Sequence, residues 1–545
     1  MLPAYAPEET DISAATRTNR ARIERISEPW ALNKTFAIAF TFAIAMLFGS
    51  WIGSGQIENL LLVAVWLTAV LIIVFVRDYW WSPPLIITAA GIGTTAFGVP
   101  LSGVELGLIV LCIAFPVKIA MKTLRKAEPE MRPGLFYWLL IGFVAVHCVV
   151  ILFYSKIGGI PLKNIVKSYY QVLVPLILYG LLIRYCHVRT IHPTVRALFF
   201  INLFVFPVSA IVALKGWSFD PFEDYRIGIS WLDADSALNS LKMFAPFVFI
   251  GSLAYWPAVR PGRARVLLAG MALFSLAGLA AAGGRLPLFC CILAGVFFAV
   301  ARGKIWIAVP FVICAALVSA IITSRPDVFD SLPPLMQRSL SPLNFSISGD
   351  DSEDATTGSN EWHKALRDQS LEYWFYDTNS FWLGHGFKSW DPTIPKDADM
   401  GEIDIQHRVE LAIEMGLTEN MFSSITNIFG VAGLVLYSLF LGQMTFLLFK
   451  GCRLAPVGTE ARALCEFSLV NILSAIVLAP FMGIAPGMEM IYWTLGILAA
   501  RPYLAQLKAV KPAAEEPAPE IPAFARPAFA EQAASAPGRP RQGRV

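Results

Sequence analysis

The stretch IWIAVPFVICAALVSAIIT, residues 305–323, contains no charged residue and is long enough to cross a bilayer as a helix. Polar residues follow it directly, beginning with Ser324-Arg-Pro-Asp327. This change of composition predicts that a membrane span ends here and that a segment outside the membrane begins.

Similar apolar runs recur along the chain, which has 545 residues, is 56% hydrophobic and is only 15% charged. A soluble protein could not bury that much apolar surface, and no alternating barrel pattern is visible. We therefore predict an all-α polytopic membrane protein with about 12 to 14 transmembrane helices and one large, partly helical periplasmic loop. The spans are predicted near residues 34–51, 57–76, 83–99, 101–120, 134–154, 169–186, 194–214, 236–256, 265–282, 286–301, 305–323, 422–449, 464–482 and 486–500. Those within 83–120 and 464–500 are short or tightly joined, so a re-entrant pair is an open alternative there.

Basic residues collect in alternate connections between these runs, which sets the orientation by the positive-inside rule. Examples are Arg17 to Lys34, Lys118 to Arg132, and Arg302 with Lys304. Both termini are therefore predicted to be cytoplasmic and the polar segment 324–421 periplasmic. The predicted domains are a cytoplasmic segment 1–33, a helical bundle 34–323 with an outer loop 215–235, the large loop 324–421, C-terminal spans 422–500, and a disordered Ala/Pro-rich cytoplasmic tail 501–545.

The polar segment carries seven Lys and Arg residues against eighteen Asp and Glu residues, which makes a nucleic-acid surface a poor fit. The acidic run at 349–354 predicts a mobile loop, and no spaced set of metal ligands or disulfide framework is evident. Helical periodicity begins at Asn360, with Ser359 or Asn360 as the N-cap, and a second helix is predicted near 402–416. The aromatic stripe from Trp362 to Trp374 suits either stacking on a sugar or packing onto the loop's own core.

Three charged residues are candidates for chemistry on the predicted outer side. Arg285 lies between two apolar runs, where it is either a functional cation or a snorkelling interfacial side chain. Arg226, in the outer loop, can bind an anion or pair with a nearby acid. Glu419 begins a predicted span, where it either complements the helix dipole or acts as a general base.

The pattern of these residues resembles the superfamily of O-antigen ligases and Wzy-type polysaccharide polymerases, which are bacterial inner-membrane glycosyltransferases. The resemblance covers roughly residues 200–450 and rests on Arg226-Ile-Gly228, Gly284-Arg285, and the stretch from Trp362 to Lys388 with Gly384-His-Gly386. It also rests on Glu419-Asn420 followed by Gly430 and Gly433, where many members carry His-Asn at the same spacing.

What this resemblance implies is an inverting glycosyl transfer that needs no metal and no cofactor. The donor would be an undecaprenyl-diphosphate-linked glycan, the acceptor a second glycan, and membrane lipid the surroundings, with chain-length regulators or flippases as further partners. Carried over, Arg226 and Arg285 would neutralise the diphosphate and Glu419 would be the catalytic base. His385, Trp362, Asn420 and His363 would bind substrate, with His385 and His363 as alternative bases.

The carboxylate at position 419 favours a polymerase of exopolysaccharide or O-antigen repeat units over an O-antigen ligase acting on lipid A core. A lipid-glycan flippase or transporter is the alternative of another class. It would predict charged residues in the middle of spans and internal repeats, neither of which is evident in the sequence.

Overall fold

The chain folds into a helical bundle with a small β-sheet at its side. The computed structural model describes residues 78–96, 99–101, 107, 111, 115, 118–119, 126–158, 162–217, 227–341, 350–376, 381–386, 409, 420–480 and 488–510. The longer helices are α2 (Leu135–Gly158), α3 (Leu162–Tyr185), α4 (Val188–Lys215), α5 (Ala234–Tyr255), α6 (Arg263–Ala281), α7 (Arg285–Arg302), α8 (Ala308–Ser324), α11 (Asp350–Tyr376), α12 (Met421–Leu454) and α13 (Glu460–Leu478). The shorter elements are α1 (Ser82–Ala89), β1 (Ile92–Ala96), β2 (Val99–Leu101), β3 (Ile227–Ile229), α9 (Pro326–Asp330), α10 (Pro334–Leu340), α14 (Met488–Ala499), α15 (Arg501–Val510) and the 3₁₀ turns Ser230–Leu232 and Ile305–Ile307.

Seven helices in the described part of the chain are long and apolar enough to cross a membrane, and three shorter apolar helices accompany them. The prediction of a helical polytopic membrane protein is therefore confirmed. Helix α8 is the clearest case, because the side chains of Ile313, Leu317 and Ile321 are each at least half exposed. Apolar side chains in such numbers on an open helix face are suited to lipid rather than to water. The predicted spans at 34–51 and 57–76 lie outside the described residues.

Helix α13 lies at the centre of the bundle, and α5, α7, α12 and α14 pack around it. About two-thirds of the residues in its most apolar stretch are buried, compared with one-third or fewer in each of the other six long apolar helices of the described residues. Small residues permit this packing: a Cβ on Gly496 of α14 would overlap the Ser468 hydroxyl of α13. Close helix approach at small residues is a common basis of association in membranes, where burial of apolar surface gives no driving force.

The helix ends form two sets at opposite ends of the bundle. At one end, which we call the basic end, Arg196 pairs with Glu460, Arg302 with Glu466, and Arg501 donates to the carbonyls of Ile183 and Cys186. At the other end, the polar-segment end, the Ser339 hydroxyl donates to the last carbonyls of α6 and Met421 N donates to Ala479 O. The separation of these two sets agrees with the predicted alternation of loops across the membrane. Which end faces the cytoplasm stays a prediction.

The predicted helical span at 83–99 is wrong. The described residues there form the short helix α1 and a β-hairpin, β1 to β2, and β1 also pairs with β3 to give the order β2-β1-β3. Gly91 at φ 63°, the β-branched pair Thr94-Thr95 and Pro100 favour a turn and strands over a continuous helix. Trp231, directly after β3, donates to Ala90 O and contacts Phe204 of α4, so this unit lies against a membrane span as a re-entrant segment would.

Two further expectations need correction. The acidic run at 349–354 is not a loop, because α11 begins at Asp350 and continues unbroken to Tyr376. Acidic residues in a first turn favour helix by complementing its dipole, so the predicted start at Asn360 was too late. The first ten residues of the predicted disordered tail form helix α15, whereas 511–545 lie outside the described residues.

Candidate functional site

Helix α12 is broken at Gly430, which has φ 64° and ψ −165°. In an unbroken helix, Val431 N and Ala432 N would donate to the carbonyls of residues 427 and 428. Here they donate instead to Phe381 O and Trp382 O, at 3.0 and 3.1 Å. We call residues 381–386 the docked segment, because it lies along this break.

The two carbonyls freed by the break are satisfied by the same segment. Asn427 O accepts from His385 N at 2.7 Å, and Ile428 O accepts from Gly386 N at 3.0 Å. Four exchanged hydrogen bonds thus replace the two that α12 loses. Because no water satisfies backbone groups inside a bilayer, the break and the docked segment depend on each other.

Glycines allow the two backbones to approach this closely. Gly384 has φ 72°, and a Cβ there would overlap the backbone of Ile428 and Phe429. A Cβ on Gly430 would in turn overlap the backbone of Trp382 and Leu383. Gly384 and Gly430, which the sequence analysis singled out, are therefore required by backbone contact and by positive φ, whereas Gly386 has φ 74° and faces the Ile151 side chain of α2.

His147 of α2 anchors the docked segment from the opposite side. Its Nε2 lies 2.7 Å from Leu383 O, and its Nδ1 lies 2.7 Å from the Tyr169 hydroxyl of α3. A carbonyl can only accept, so Nε2 carries the proton and Nδ1 accepts from Tyr169 when the ring is neutral. His147 and Tyr169 are both buried. The sequence analysis missed His147, although a lone imidazole inside the apolar run 134–154 was the available signal.

Helix α11 packs on α12 at the same place. Asn427 Nδ2 donates to Ser370 O at 3.1 Å, and Trp374 stacks on Phe381 with ring centroids 5.2 Å apart while its Nε1 donates to Phe381 O. The polar segment is thus built into the bundle rather than tethered beside it. Phe375, Tyr376 and Trp382 remain more than half exposed at this junction.

The aromatic stripe of α11 packs largely within the polar segment. Trp362 and Ala365 contact a small core of Leu366 and Val409. Of the two interpretations left open for the stripe, packing onto the loop's own core accounts for Trp362. His363 lies on the same helix, one residue further along the chain.

Asn420 is the N-cap of α12, and its side chain accepts from Ser423 N at 2.7 Å. The side chain is buried, and Met421 N donates to Ala479 O just beyond the end of α13. The hydrogen bond from Ser423 N gives the Asn420 side chain a structural role as a helix cap. Glu419, the predicted base, precedes it in the chain and lies outside the described residues.

Arg285 is the first residue of α7 and is half-buried. It follows a tight turn in which Gly283 has φ 76°, and a Cβ on Gly284 would lie 3.4 Å from Lys242 Cγ of α5. The stem of Lys242 therefore lies beside the residue that precedes Arg285, at the polar-segment end. Lys242 was missed by the sequence analysis because it falls inside the predicted span 236–256.

Helix α10 covers the turn that leads to Arg285. The buried Ser339 hydroxyl donates to Leu279 O and Ala280 O, at 3.2 and 2.9 Å. Arg226 lies outside the described residues, but β3 begins at the next residue, Ile227, which pairs with Thr94. Arg302, the last residue of α7, pairs with Glu466 near the start of α13, so α7 begins towards the far end of α13. Met421 N, at the start of α12, donates to Ala479 O at that far end, so the Arg285 turn and the Asn420 cap lie at the same end of the bundle.

His385 contributes its backbone N–H to the α12 break, and its side chain is half-buried. Within the described ranges, no group of three or more His, Cys, Asp or Glu side chains is placed to hold a metal ion. The seven described cysteines are free thiols. Compared with models of known protein families and with curated proteins, the chain matches none of them.

Proposed function

We propose that this protein is a polysaccharide polymerase that joins undecaprenyl-diphosphate-linked repeat units on the outer face of a bacterial inner membrane. The observation that carries the proposal is the way the polar segment is built into one end of the bundle. Its residues 381–386 supply the hydrogen bonds that α12 lacks at its break, about ten residues after the predicted base Glu419. Its Ser339 side chain also donates to Leu279 O, close to the turn that precedes Arg285. A transporter could work with short loops, whereas this arrangement suits chemistry at one membrane face.

The charges at this end fit a lipid diphosphate donor. Arg285 begins α7, and the stem of Lys242 lies beside the preceding Gly284. An arginine binds phosphate oxygens with two parallel hydrogen bonds. Arg226 would add a third cation. The exposed aromatic side chains Phe375, Tyr376 and Trp382 offer faces on which sugar rings stack.

The proposed reaction is a single inverting displacement. An acceptor hydroxyl oxygen attacks the anomeric carbon of the donor, and the bond from that carbon to the diphosphate oxygen breaks. The diphosphate leaves with the electron pair and is neutralised by the basic side chains. The hydroxyl proton passes to the Glu419 carboxylate, with His385 and His363 as alternative bases.

Mass analysis of lipid-linked glycans in a strain that lacks the gene tests the proposal. We expect single repeat units to accumulate on the lipid carrier, with no long chains. Long chains on the carrier beside bare lipid A core would instead indicate an O-antigen ligase. A block before repeat units reach the outer leaflet would indicate a flippase.

We predict that Arg285→Gln reduces polymerisation by about a hundredfold, the order of loss expected when one charge-stabilising group is removed. Arg285→Lys should also be impaired, because a point charge does not replace a two-pronged guanidinium. Polymer yield at equal membrane levels of protein is the measurement. Arg132→Gln is the matched control, since Arg132 is highly exposed at the basic end.

We predict that Glu419→Gln lowers turnover by two to four decades, or about 10²- to 10⁴-fold, if this carboxylate is the general base. Turnover with purified lipid-linked repeat units is the measurement. A loss smaller than tenfold would exclude that role and favour His385 or His363. Normal glycan profiles in both the Glu419→Gln and Arg285→Gln strains would instead mean that the protein is a non-catalytic assembly partner.

A further inference from the structure

At the basic end, away from the site described above, a cavity of about 230 Å³ opens between α5, α7 and the start of α13. Its charged lining consists of Arg302, Lys304, Arg462 and Glu466. Three basic side chains thus face one carboxylate. The cavity therefore carries a net positive charge although it lies between membrane helices.

The two arginines are held rigidly. Glu466 accepts from Arg302 Nε at 2.8 Å through one oxygen and from Arg462 Nε at 2.6 Å through the other. Arg302 Nη2 donates to Leu253 O, and Arg462 Nη2 donates to Ala301 O. Among the described residues, neither Nη1 group has a hydrogen-bond partner, and the Arg462 side chain is only 10% exposed. Preorganised donors that remain available beside a cavity are suited to an anion.

The start of α13 adds to this field. Gly458 and Thr459 line the cavity, and Thr459 is the N-cap, with its hydroxyl accepting from Arg462 N at 3.2 Å. A helix N-terminus presents backbone N–H groups and the positive end of its dipole. The nearby Glu460 does not oppose the charge of the cavity, because the Arg196 guanidinium pairs with it.

The rim of the cavity has the composition expected at a membrane surface. Ile305 and Trp306 are 73% and 80% exposed beside Lys304, and Val457 is 80% exposed on the other side. Trp256 lies nearby under the Arg265 guanidinium. Exposed tryptophan beside basic residues is typical of the interface between lipid and water.

We propose that this cavity binds the phosphate of an anionic phospholipid from the leaflet at the basic end. The phosphate contacts Arg302, Arg462 and Lys304, and the acyl chains lie along the exposed apolar rim. Basic pockets between membrane helices are known to hold such headgroups. The proposal is independent of the glycosyl transfer proposed for the other end.

The test is thermal unfolding and native mass spectrometry of the purified full-length protein with phosphatidylglycerol or phosphatidylcholine. We expect phosphatidylglycerol to stabilise the protein more and to remain bound. Lys304→Gln should weaken this binding about fivefold, the effect of one basic residue near a membrane surface. Lys304 is exposed, so this change leaves the buried arginines and Glu466 intact.

Two more variants sharpen the test. Ala258→Leu places bulk in the cavity and should lower binding without changing charge, whereas Lys450→Gln removes an exposed base that does not line the cavity and should leave binding unchanged. Equal stabilisation by both lipids, or equal loss in Lys304→Gln and Lys450→Gln, would overturn the proposal. Stabilisation by inorganic phosphate alone, matching that by phosphatidylglycerol, would point to a soluble anion and overturn the lipid assignment.

Discussion

His147 connects three separate parts of the chain through one imidazole. Its two ring nitrogens bind the Tyr169 hydroxyl and Leu383 O, so that α2, α3 and the docked segment meet at one buried side chain. Polar groups within a span are expensive unless they are paired, which makes this cluster specific as well as stabilising.

We predict that His147→Phe destabilises the protein by about 1–2 kcal/mol, because Leu383 O loses its side-chain partner within the bundle. Amide exchange at His385 and Gly386 should accelerate, since the docked segment loses its anchor on α2. Tyr169→Phe is the milder comparison, as it keeps the bond to Leu383 O. Unchanged exchange in His147→Phe would mean that the α12 break holds the segment without this anchor.

Glu466 is the second residue on which distant contacts converge. It is 3% exposed and binds both Arg302 and Arg462. We predict that Glu466→Ala costs about 3–5 kcal/mol, because it leaves two arginines inside the bundle without their carboxylate. Glu460→Gln, which breaks a more exposed pair, should cost no more than about 1 kcal/mol. Denaturant titration of both variants is the measurement, and similar losses would contradict the proposed importance of burial.

At the scale of elements, the broken helix α12 and the docked segment form one unit. Helices in membranes tolerate irregular backbone only where protein replaces the lost hydrogen bonds. Residues 381–386 do this with four backbone bonds, which explains why a glycine stands at 384 and another at 430. These bonds fix the position along α12, at residues 427–432, at which the polar segment contacts the bundle.

We predict that Gly430→Ala and Gly384→Ala each destabilise the protein by at least about 1–3 kcal/mol, from backbone strain alone. Steric overlap with the facing backbone adds to this cost. Gly442→Ala is the matched control in the same helix, where nothing lies within 4 Å of the added carbon and alanine favours helix. Yield of folded protein and unfolding midpoints check this, and a tolerated Gly430→Ala would contradict the described break.

At the scale of the whole molecule, the two ends of the bundle differ in chemistry. The basic end holds the arginine pairs and the cavity beside Arg302, while the opposite end holds the polar segment, Arg285 and the α12 cap. This separation is compatible with both proposals, which assign the glycan substrate to one leaflet and an anionic lipid to the other.

We predict that Glu361→Cys is labelled by a membrane-impermeant maleimide from the periplasm and that Lys304→Cys is labelled only after the membrane is opened. Both positions are exposed, so labelling reports the side on which they lie rather than burial. The parent chain measures the background from its native cysteines. The opposite pattern would invert the orientation and place the polar segment in the cytoplasm.

The sequence by itself determined that this is a helical membrane protein and where most of its spans lie, because apolarity over a helix length is a local property. The described helices confirm the predicted spans at 134–154 and 305–323 closely. It also singled out Arg285, Gly384-His-Gly386 and Gly430 as positions of interest. Only the tertiary structure decided that α12 breaks, that the hairpin replaces a span, and that His147 and Lys242 lie beside these elements. These features arise when backbone or polar groups exchange a local partner for one far along the chain, and no local pattern encodes that exchange.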